Sequence, residues 1–455
     1  MSSPLRWIAP RLMAAYTSPR TRAARRAIAE WRRRSTRRPH QVHYFHQVDD
    51  PYSQLAAQLL ERLVTHYDVD LVAHLVGPPS DAAAPERARL EAFARKDAAD
   101  VAPGYGLVFP RRETAPAAAD VQLAARVLAA AIAGGRFASA AAAVGSALFD
   151  GDRASLARFA DLVGATGDEE ARAAIEAGSA ERQRRGHYLG AMFWYGGEWY
   201  WGVDRLHHLE RRLVALGARR AGAHADSHAD SGLALLAPRP GPGRDPLPPS
   251  RERVVLECFA SLRSPYSYIA LERTFDLARR LPVALVLRPV LPMVMRGLPV
   301  PREKQLYIVL DTKREAEDAG VPFGCVCDPV GRPVERCFSL YRWARERGRA
   351  GELLLSFTSA AFAQGIDTGS DAGIRIVVEQ AGLPWREARE HLDRDDGWRA
   401  ELEANREALF ALGLWGVPSY CLRDATGAAV FATWGQDRLW LVEAEIRRRL
   451  ALECR

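Results

Sequence analysis

The 455-residue chain contains no C-x-x-C pair. Its six cysteines, Cys258, Cys325, Cys327, Cys337, Cys421 and Cys454, all fall in the second half. Without C-x-x-C spacing they supply neither a disulfide framework nor an intramolecular redox disulfide, which argues against a dithiol oxidoreductase. Free thiols fit a reducing compartment, so the expected location is cytoplasmic. Nor does any apolar run approach the roughly 18 residues of a membrane span. The opening "MSSPLRWIAPRLMAAY" is broken by Pro10 and Arg11, which suits a secretory signal poorly. No Walker-type or G-x-G-x-x-G loop follows a strand pattern.

A basic surplus is also missing where it would matter. The formal charge is +7, but residues 1–39 hold eleven arginines against one acid, Glu30. That tail carries a surplus of ten positive charges and leaves the rest of the chain at −3. The folded part therefore has no footprint for nucleic acid. The stretch "RTRAARRAIAEWRRRSTRR" reads as a solvated basic tail, or as a basic amphipathic helix able to touch anionic lipid or an acidic partner. The remaining balance, 48% hydrophobic and 26% charged, is that of a globular protein with ample core.

What is present is one plan written twice. Each half begins with a strand pattern, "QVHYFHQV" and "RVVLECFA", then passes through Pro-Tyr-Ser into a helix, "PYSQLAAQLLERLVTHY" and "PYSYIALERTFDLARRL". A second apolar run follows in each, "VDLVAHLV" and "PVALVLRPV", and then a long helical block. Both close with a hairpin-like segment and a helix that share Gly-x-Asp-Arg-Leu. Strand–helix–strand implies a parallel crossover, and the last hairpin adds antiparallel strands. The expected fold is α/β: two thioredoxin-like domains, each with a helical insertion between its βαβ and ββα parts, arising by tandem duplication. The expected boundaries are a basic tail over 1–39, a first domain over 40–216, a Pro/Gly-rich linker over 217–252, and a second domain over 253–455.

In "RSPYSYIAL" Ser264 is a natural N-cap and Pro265 suits the first helical position. Redox relatives of this turn place two cysteines where Ser264 and Ser267 stand. A helix N-terminus stabilises an anion and lowers the pKa of a thiol placed there. With no sulfur of its own, such a turn suits a thiol brought by a ligand. In "LWGVPSYCLRD", Pro418 follows Val417 at the start of a strand pattern. A cis Val417–Pro418 bond is expected there, with Val417 offering its backbone to an extended peptide.

Together "FASLRSPYSYIAL", "PREKQLYIVLDTKREAEDAGVPF", "LWGVPSYCL" and "WGQDRLWLVE" resemble 2-hydroxychromene-2-carboxylate isomerases, relatives of kappa-class glutathione transferases within the DsbA-like thioredoxin superfamily. The resemblance covers about 251–450 and extends more weakly to the first half. It implies glutathione as cofactor, with Ser264 holding the sulfur. It implies Lys304 on a peptide carboxylate, Val417 and Pro418 along the peptide backbone, and Gln436 and Asp437 at the γ-glutamyl end. The implied reaction is an isomerisation or transfer on a small aromatic or electrophilic substrate, begun by addition of the cofactor thiolate. Two departures stand out: "VMRGLP" lacks the family's ligand-contacting Asn, and Gln436 replaces a small hydroxyl residue.

The first half departs at every key place. Asp50 stands where Ser264 does, Met192 is read at the place of Pro418, and Glu86 falls near the place of Lys304, while Asp204 persists. It reads as a degenerate pseudo-domain that packs, dimerises internally as a pseudo-dimer, or gates. Cys325 and Cys327, the His40, His43 and His46 series, and "HADSHAD" are read as structural rather than metal-binding. The rival reading of the whole chain is a non-catalytic binding or scaffold protein.

Overall fold

The computed structural model describes residues 4–221, 235–241, 254–394 and 396–452. The chain forms two compact units, Ala23–Gly241, and Met1–Arg22 together with Pro242–Arg455. Most of the linker expected over 217–252 lies outside the described residues. Its described piece is tied down: the carboxylate of Glu210 accepts from the amides of Leu236 and Ala237 at 2.7 and 3.1 Å.

The chain opens with helices α1 (Pro4–Thr17) and α2 (Pro19–Ser35). The first unit then builds strand β1 (His40–His46), helices α3 (Pro51–Ala57) and α4 (Leu60–His66), and strand β2 (Val69–Leu75). A helical block follows, α5 (Arg87–Val101), α6 (Ala118–Ala133), α7 (Phe137–Asp150), α8 (Arg153–Val163) and α9 (Asp168–Arg184). The hairpin β3 (Met192–Tyr195) and β4 (Glu198–Trp201) leads into α10 (Gly202–Ala215). The sheet order is β2-β1-β3-β4, with β1 and β2 parallel and the other pairs antiparallel.

The second unit repeats this order. Strand β5 (Val254–Ala260), helix α11 (Pro265–Arg280) and strand β6 (Val283–Pro289) form its parallel crossover. The insertion comprises α12 (Arg302–Asp318), α13 (Arg332–Ser339), α14 (Tyr341–Glu346), α15 (Ala350–Ser359), α16 (Asp371–Gln380), α17 (Trp385–His391) and α18 (Trp398–Ala411). Strands β7 (Ser419–Arg423) and β8 (Ala429–Trp434) and helix α19 (Leu439–Leu452) complete the unit. Its sheet order is β6-β5-β7-β8. Both units are thus thioredoxin-like α/β folds with a helical insertion between the βαβ and ββα parts.

Strand alternation explains the core of the second unit. Val254, Leu256, Cys258 and Ala260 point one way and join a buried cluster with Phe338, Tyr341, Trp343, Phe357 and Tyr420. On the other face sits Glu257, only 2% exposed. Its Oε1 accepts from Arg288 and its Oε2 from Arg423, the Nε contacts both being 2.8 Å. The sequence begins α1 with apolar residues, and the helix uses them selectively. Pro10 and Thr17 are buried, two turns apart, and lie against Gly365 and Gly324. No helix among the described residues is long and apolar enough to cross a membrane.

Candidate ligand site at the first turn of helix α11

Ser264 caps α11 from an extended backbone, φ −92 and ψ 113. Its Oγ accepts from the amide of Ser267 at 3.1 Å, satisfying one of the donors left open at a helix start. The hydroxyl proton points at the carbonyl of Val417, 3.5 Å away. Pro265 occupies the first helical position, where its missing N–H removes no helical bond. Ser267, the second serine of the motif, is fully buried, and its hydroxyl accepts from the amide of Ser261 at 3.2 Å. The two serines therefore differ: Ser264 is half-buried at the helix tip, and Ser267 belongs to the interior.

Opposite the tip runs the loop from Leu414 to Pro418, and the Val417–Pro418 bond is cis. The loop is anchored on both sides. The amide of Gly435 donates to the carbonyl of Pro418 at 2.9 Å, and the hydroxyl of Ser419 donates to the carbonyl of Gly416 at 2.8 Å. Gly416 is required by packing: a Cβ there would lie 2.0 Å from the ring of Trp434. Trp415 and Trp434 sit with ring centroids 5.3 Å apart. The ammonium of Lys304, on the first turn of α12, lies 5.9 Å from the Trp415 ring centre, within cation–π range. Burial pushes that ammonium down to about 8.

The short turn Gln436–Arg438 follows Gly435, whose φ of 125 suits only glycine. Asp437 is half-buried at this turn, whereas Gln436 is buried. Both ends of the Gln436 amide are engaged inside the protein. Its Oε1 accepts from Arg273 at 2.7 Å, and its Nε2 donates to Glu315 at 2.8 Å and to Asp437. Gln436 thus aims the carboxylate of Asp437 rather than presenting its own side chain. Ser264, Lys304, Val417 and Asp437 are all half-buried residues at the termini or loops of α11, α12, β7 and α19. Sequence reasoning missed Trp415, Gly416, Trp434, Arg273 and Glu315. Trp415, Gly416, Trp434 and Glu315 carried a signal, since they lie inside the motifs that carry the resemblance, whereas Arg273 lies outside them.

The same turn in the first unit is closed. Asp50 caps α3 with nearly the backbone of Ser264, φ −92 and ψ 118. It accepts from the amides of Tyr52 and Ser53 at 3.3 and 3.0 Å and from the Ser53 hydroxyl at 2.8 Å. That hydroxyl also accepts from the amide of Ala191 at 2.9 Å, which stitches the turn to the facing loop. Gly190 lies so close that a Cβ would sit 3.1 Å from the Asp50 carboxylate. Strand register corrects the reading of Met192. Phe45 pairs with Met192 as Phe259 pairs with Ser419, so Ala191 takes the place of Pro418 and Gly190 that of Val417. Ala191 has φ 54, and the sole cis bond among the described residues is that before Pro418.

Glu86 is likewise displaced. Tyr52 donates to Asp97 on α5 at 2.9 Å as Tyr266 donates to Asp311 on α12 at 2.7 Å. Counting back from these aspartates puts Leu90 where Lys304 stands, so the cation has no charged counterpart. Asp204 keeps its place, but Tyr105 donates to it at 2.9 Å and occupies its carboxylate.

Desolvation pushes the Asp50 carboxyl up to about 6, outweighing its hydrogen bonds. A carboxyl with a raised folded pKa holds its proton more tightly when folded. The stability it contributes below pH about 4 is therefore lost as pH rises through about 6. Asp50→Asn caps as well and cannot ionise. It is expected to flatten this pH dependence and to stabilise the unit at neutral pH by about 1–2 kcal/mol, as read from denaturant melts across that range.

The five described cysteines take no part in the site. Cys258, Cys327, Cys337 and Cys421 are buried, Cys325 is half-buried, and all five are free thiols. Burial pushes Cys258 up to about 12, which makes it inert as a nucleophile. The strand histidines find separate partners: His40 meets Tyr195, His43 meets His74, and His46 meets Tyr44. A cavity of about 730 Å³ lies in the first unit, lined in part by Val48, Asp49, Val76, Gln122 and Ile175.

Residues 255–447 match the family model described as DSBA-like thioredoxin domain. Among solved structures, the chain is similar to a 2-hydroxychromene-2-carboxylate isomerase at 19% identity, covering 44% of this chain and 98% of that one, with a TM-score of 0.37. It is similar to the cytosolic disulfide reductase DsbM from Pseudomonas aeruginosa at 17% identity, covering 44% and 98%, with a TM-score of 0.34. For the same reductase with GSH the values are 15%, 44%, 98% and 0.31. No curated protein sequence matches the chain.

Proposed function

With residues 255–447 forming a DSBA-like thioredoxin domain, we propose that the second unit is a glutathione-dependent isomerase or transferase acting on small aromatic or electrophilic substrates. The observation that carries this reading is the placement of the Ser264 hydroxyl. It sits at the N-terminus of α11, 3.5 Å from the Val417 carbonyl, at a turn with no protein thiol.

The donor set fits a zwitterionic thiol peptide. Ser264 and the first-turn amides favour a thiolate, the Val417 backbone can pair with an extended peptide, and Lys304 and Asp437 have the signs to meet a carboxylate and an ammonium. Glutathione, when bound, supplies the nucleophilic sulfur that the α11 turn lacks. The chain's part is to hold that peptide, lower the thiol pKa, and keep Asp437 aimed through Gln436, Arg273 and Glu315. The half-buried ring of Trp434, backed by the buried ring of Trp415, offers an apolar wall for a flat substrate. Asp50, the Ser53 stitch and the Tyr105–Asp204 bond make the first unit a non-catalytic counterpart, derived from the same ancestral domain by tandem duplication.

Calorimetry with glutathione tests the reading. Millimolar or tighter binding is expected, weakened in Asp437→Asn; no binding to the intact chain would leave the scaffold reading in its place. The Lys304 contact is expected to titrate. The ammonium is charged below pH about 8 and neutral above it, so affinity for S-methylglutathione, which has no thiol to ionise, falls as pH passes about 8. Lys304→Met is expected to lower affinity by about tenfold at neutral pH and to remove that component of the pH dependence.

A further inference from the structure

Ten large apolar side chains are exposed among the described residues, and five of them, Ile8, Leu12, Tyr16, Ile28 and Trp31, lie in α1 and α2. The two helices thus concentrate in a short stretch what the folded units bury. On α1, Ile8 and Leu12 are one turn apart and 45% and 65% exposed, while Pro10 and Thr17 face inward. On α2, Ile28 and Trp31 are three residues apart on one face, 50% and 68% exposed. Arg32 and Arg34 follow these two at one-turn spacing, and both are exposed.

Helix α2 spans 17 residues and buries none of them. A helix of that length gains little stability without packing. Its Arg26 is held by a bidentate pair with Glu198 at 2.6 and 2.7 Å, which fixes the helix on its polar side and leaves Ile28 and Trp31 uncovered.

We propose that α2 forms a peripheral membrane contact that docks on an anionic bilayer surface. The charge of residues 1–39 matches anionic headgroups, and the eleven arginines outnumber the one acid. The exposed aliphatic Ile28 beside Trp31 discriminates among acidic partners. Nucleic acid offers a phosphate backbone to the arginines and stacking to Trp31, but nothing for exposed aliphatic groups. A bilayer offers all three: headgroups for arginine, the interface for tryptophan, and the acyl boundary for isoleucine. A lateral contact of this kind needs no spanning helix, and none is present among the described residues.

The test is co-sedimentation of the full chain with phosphatidylcholine vesicles, with and without phosphatidylserine. Binding is expected only with phosphatidylserine and is expected to weaken with salt, each arginine near the surface contributing about fivefold in affinity. The pair Ile28→Ser and Trp31→Ser is expected to lower binding by at least about tenfold with helical circular dichroism unchanged. The pair Arg32→Glu and Arg34→Glu is expected to abolish binding. Absence of binding to the anionic vesicles overturns the proposal. So does binding indifferent to the Ile28 and Trp31 changes, which is charge attraction alone, or conversion of an oligomer to a monomer by those changes, which makes a second copy the occupant.

Discussion

Ser264→Ala is expected to lower glutathione-dependent turnover by about 10²–10³-fold, the usual loss when one preorganised donor to a developing anion is removed. Two effects overlap in this substitution, and they can be separated. Alanine cannot accept from the Ser267 amide, so the cap is lost at a cost of about 1 kcal/mol in stability. Alanine also removes the hydroxyl beside Val417. Ser264→Asp resolves the two. Aspartate caps as well as serine, as Asp50 does at the equivalent turn of the first unit, but sets a carboxylate against an incoming thiolate. Stability is expected to survive in Ser264→Asp while turnover and thiol ionisation do not. The readouts are kcat/KM, the pKa of bound glutathione from thiolate absorbance, and the denaturant midpoint. A turnover rate unchanged in both variants would remove Ser264 from the chemistry and leave it as a cap.

The largest effect on stability is expected from Glu257→Ala. The carboxylate is 2% exposed and binds two guanidiniums, those of Arg288 and Arg423, whose side chains are 34% and 27% exposed. Its removal leaves two like charges against the sheet with no anion between them, and breaking such a buried set costs about 3–5 kcal/mol. Water can reach both arginines, so the lower end is expected, about 3 kcal/mol. Chemical denaturation of the variant gives this value. Glu257→Gln keeps the shape and one acceptor oxygen, enough for one of the two guanidiniums, and is expected to lose less. A loss under about 1 kcal/mol in Glu257→Ala would show the pairs to be worth no more than surface ion pairs.

The sequence carried the site where chemistry is local. Ser264 followed by Pro265 specifies a helix start by its own hydrogen bonding, and Val417–Pro418 stood out because proline fits few places in a strand pattern. The order of strands and helices was equally legible, because each element keeps its own period and the parallel crossover leaves little choice of pairing. What could not be read depends on contacts made across the fold. Gln436 looked available until Arg273 and Glu315, far away in the chain, were seen to take both ends of its amide. Met192 was misplaced by one residue because register is set by pairing with Phe45, and a one-residue slip is invisible in a degenerate motif. Glu86 failed for a related reason. Ungapped counting ignores where each insertion begins, whereas the Tyr52–Asp97 and Tyr266–Asp311 bonds mark true equivalence.

Those two bonds have a consequence for divergence. Each clasps the opening helix of its domain to the long helix that begins the insertion, one tyrosine hydroxyl to one aspartate. Segments beyond the clasp are free to lengthen, shorten or change partners without shifting the cap residue, so the insertion of such a domain can drift while its capped turn stays in place.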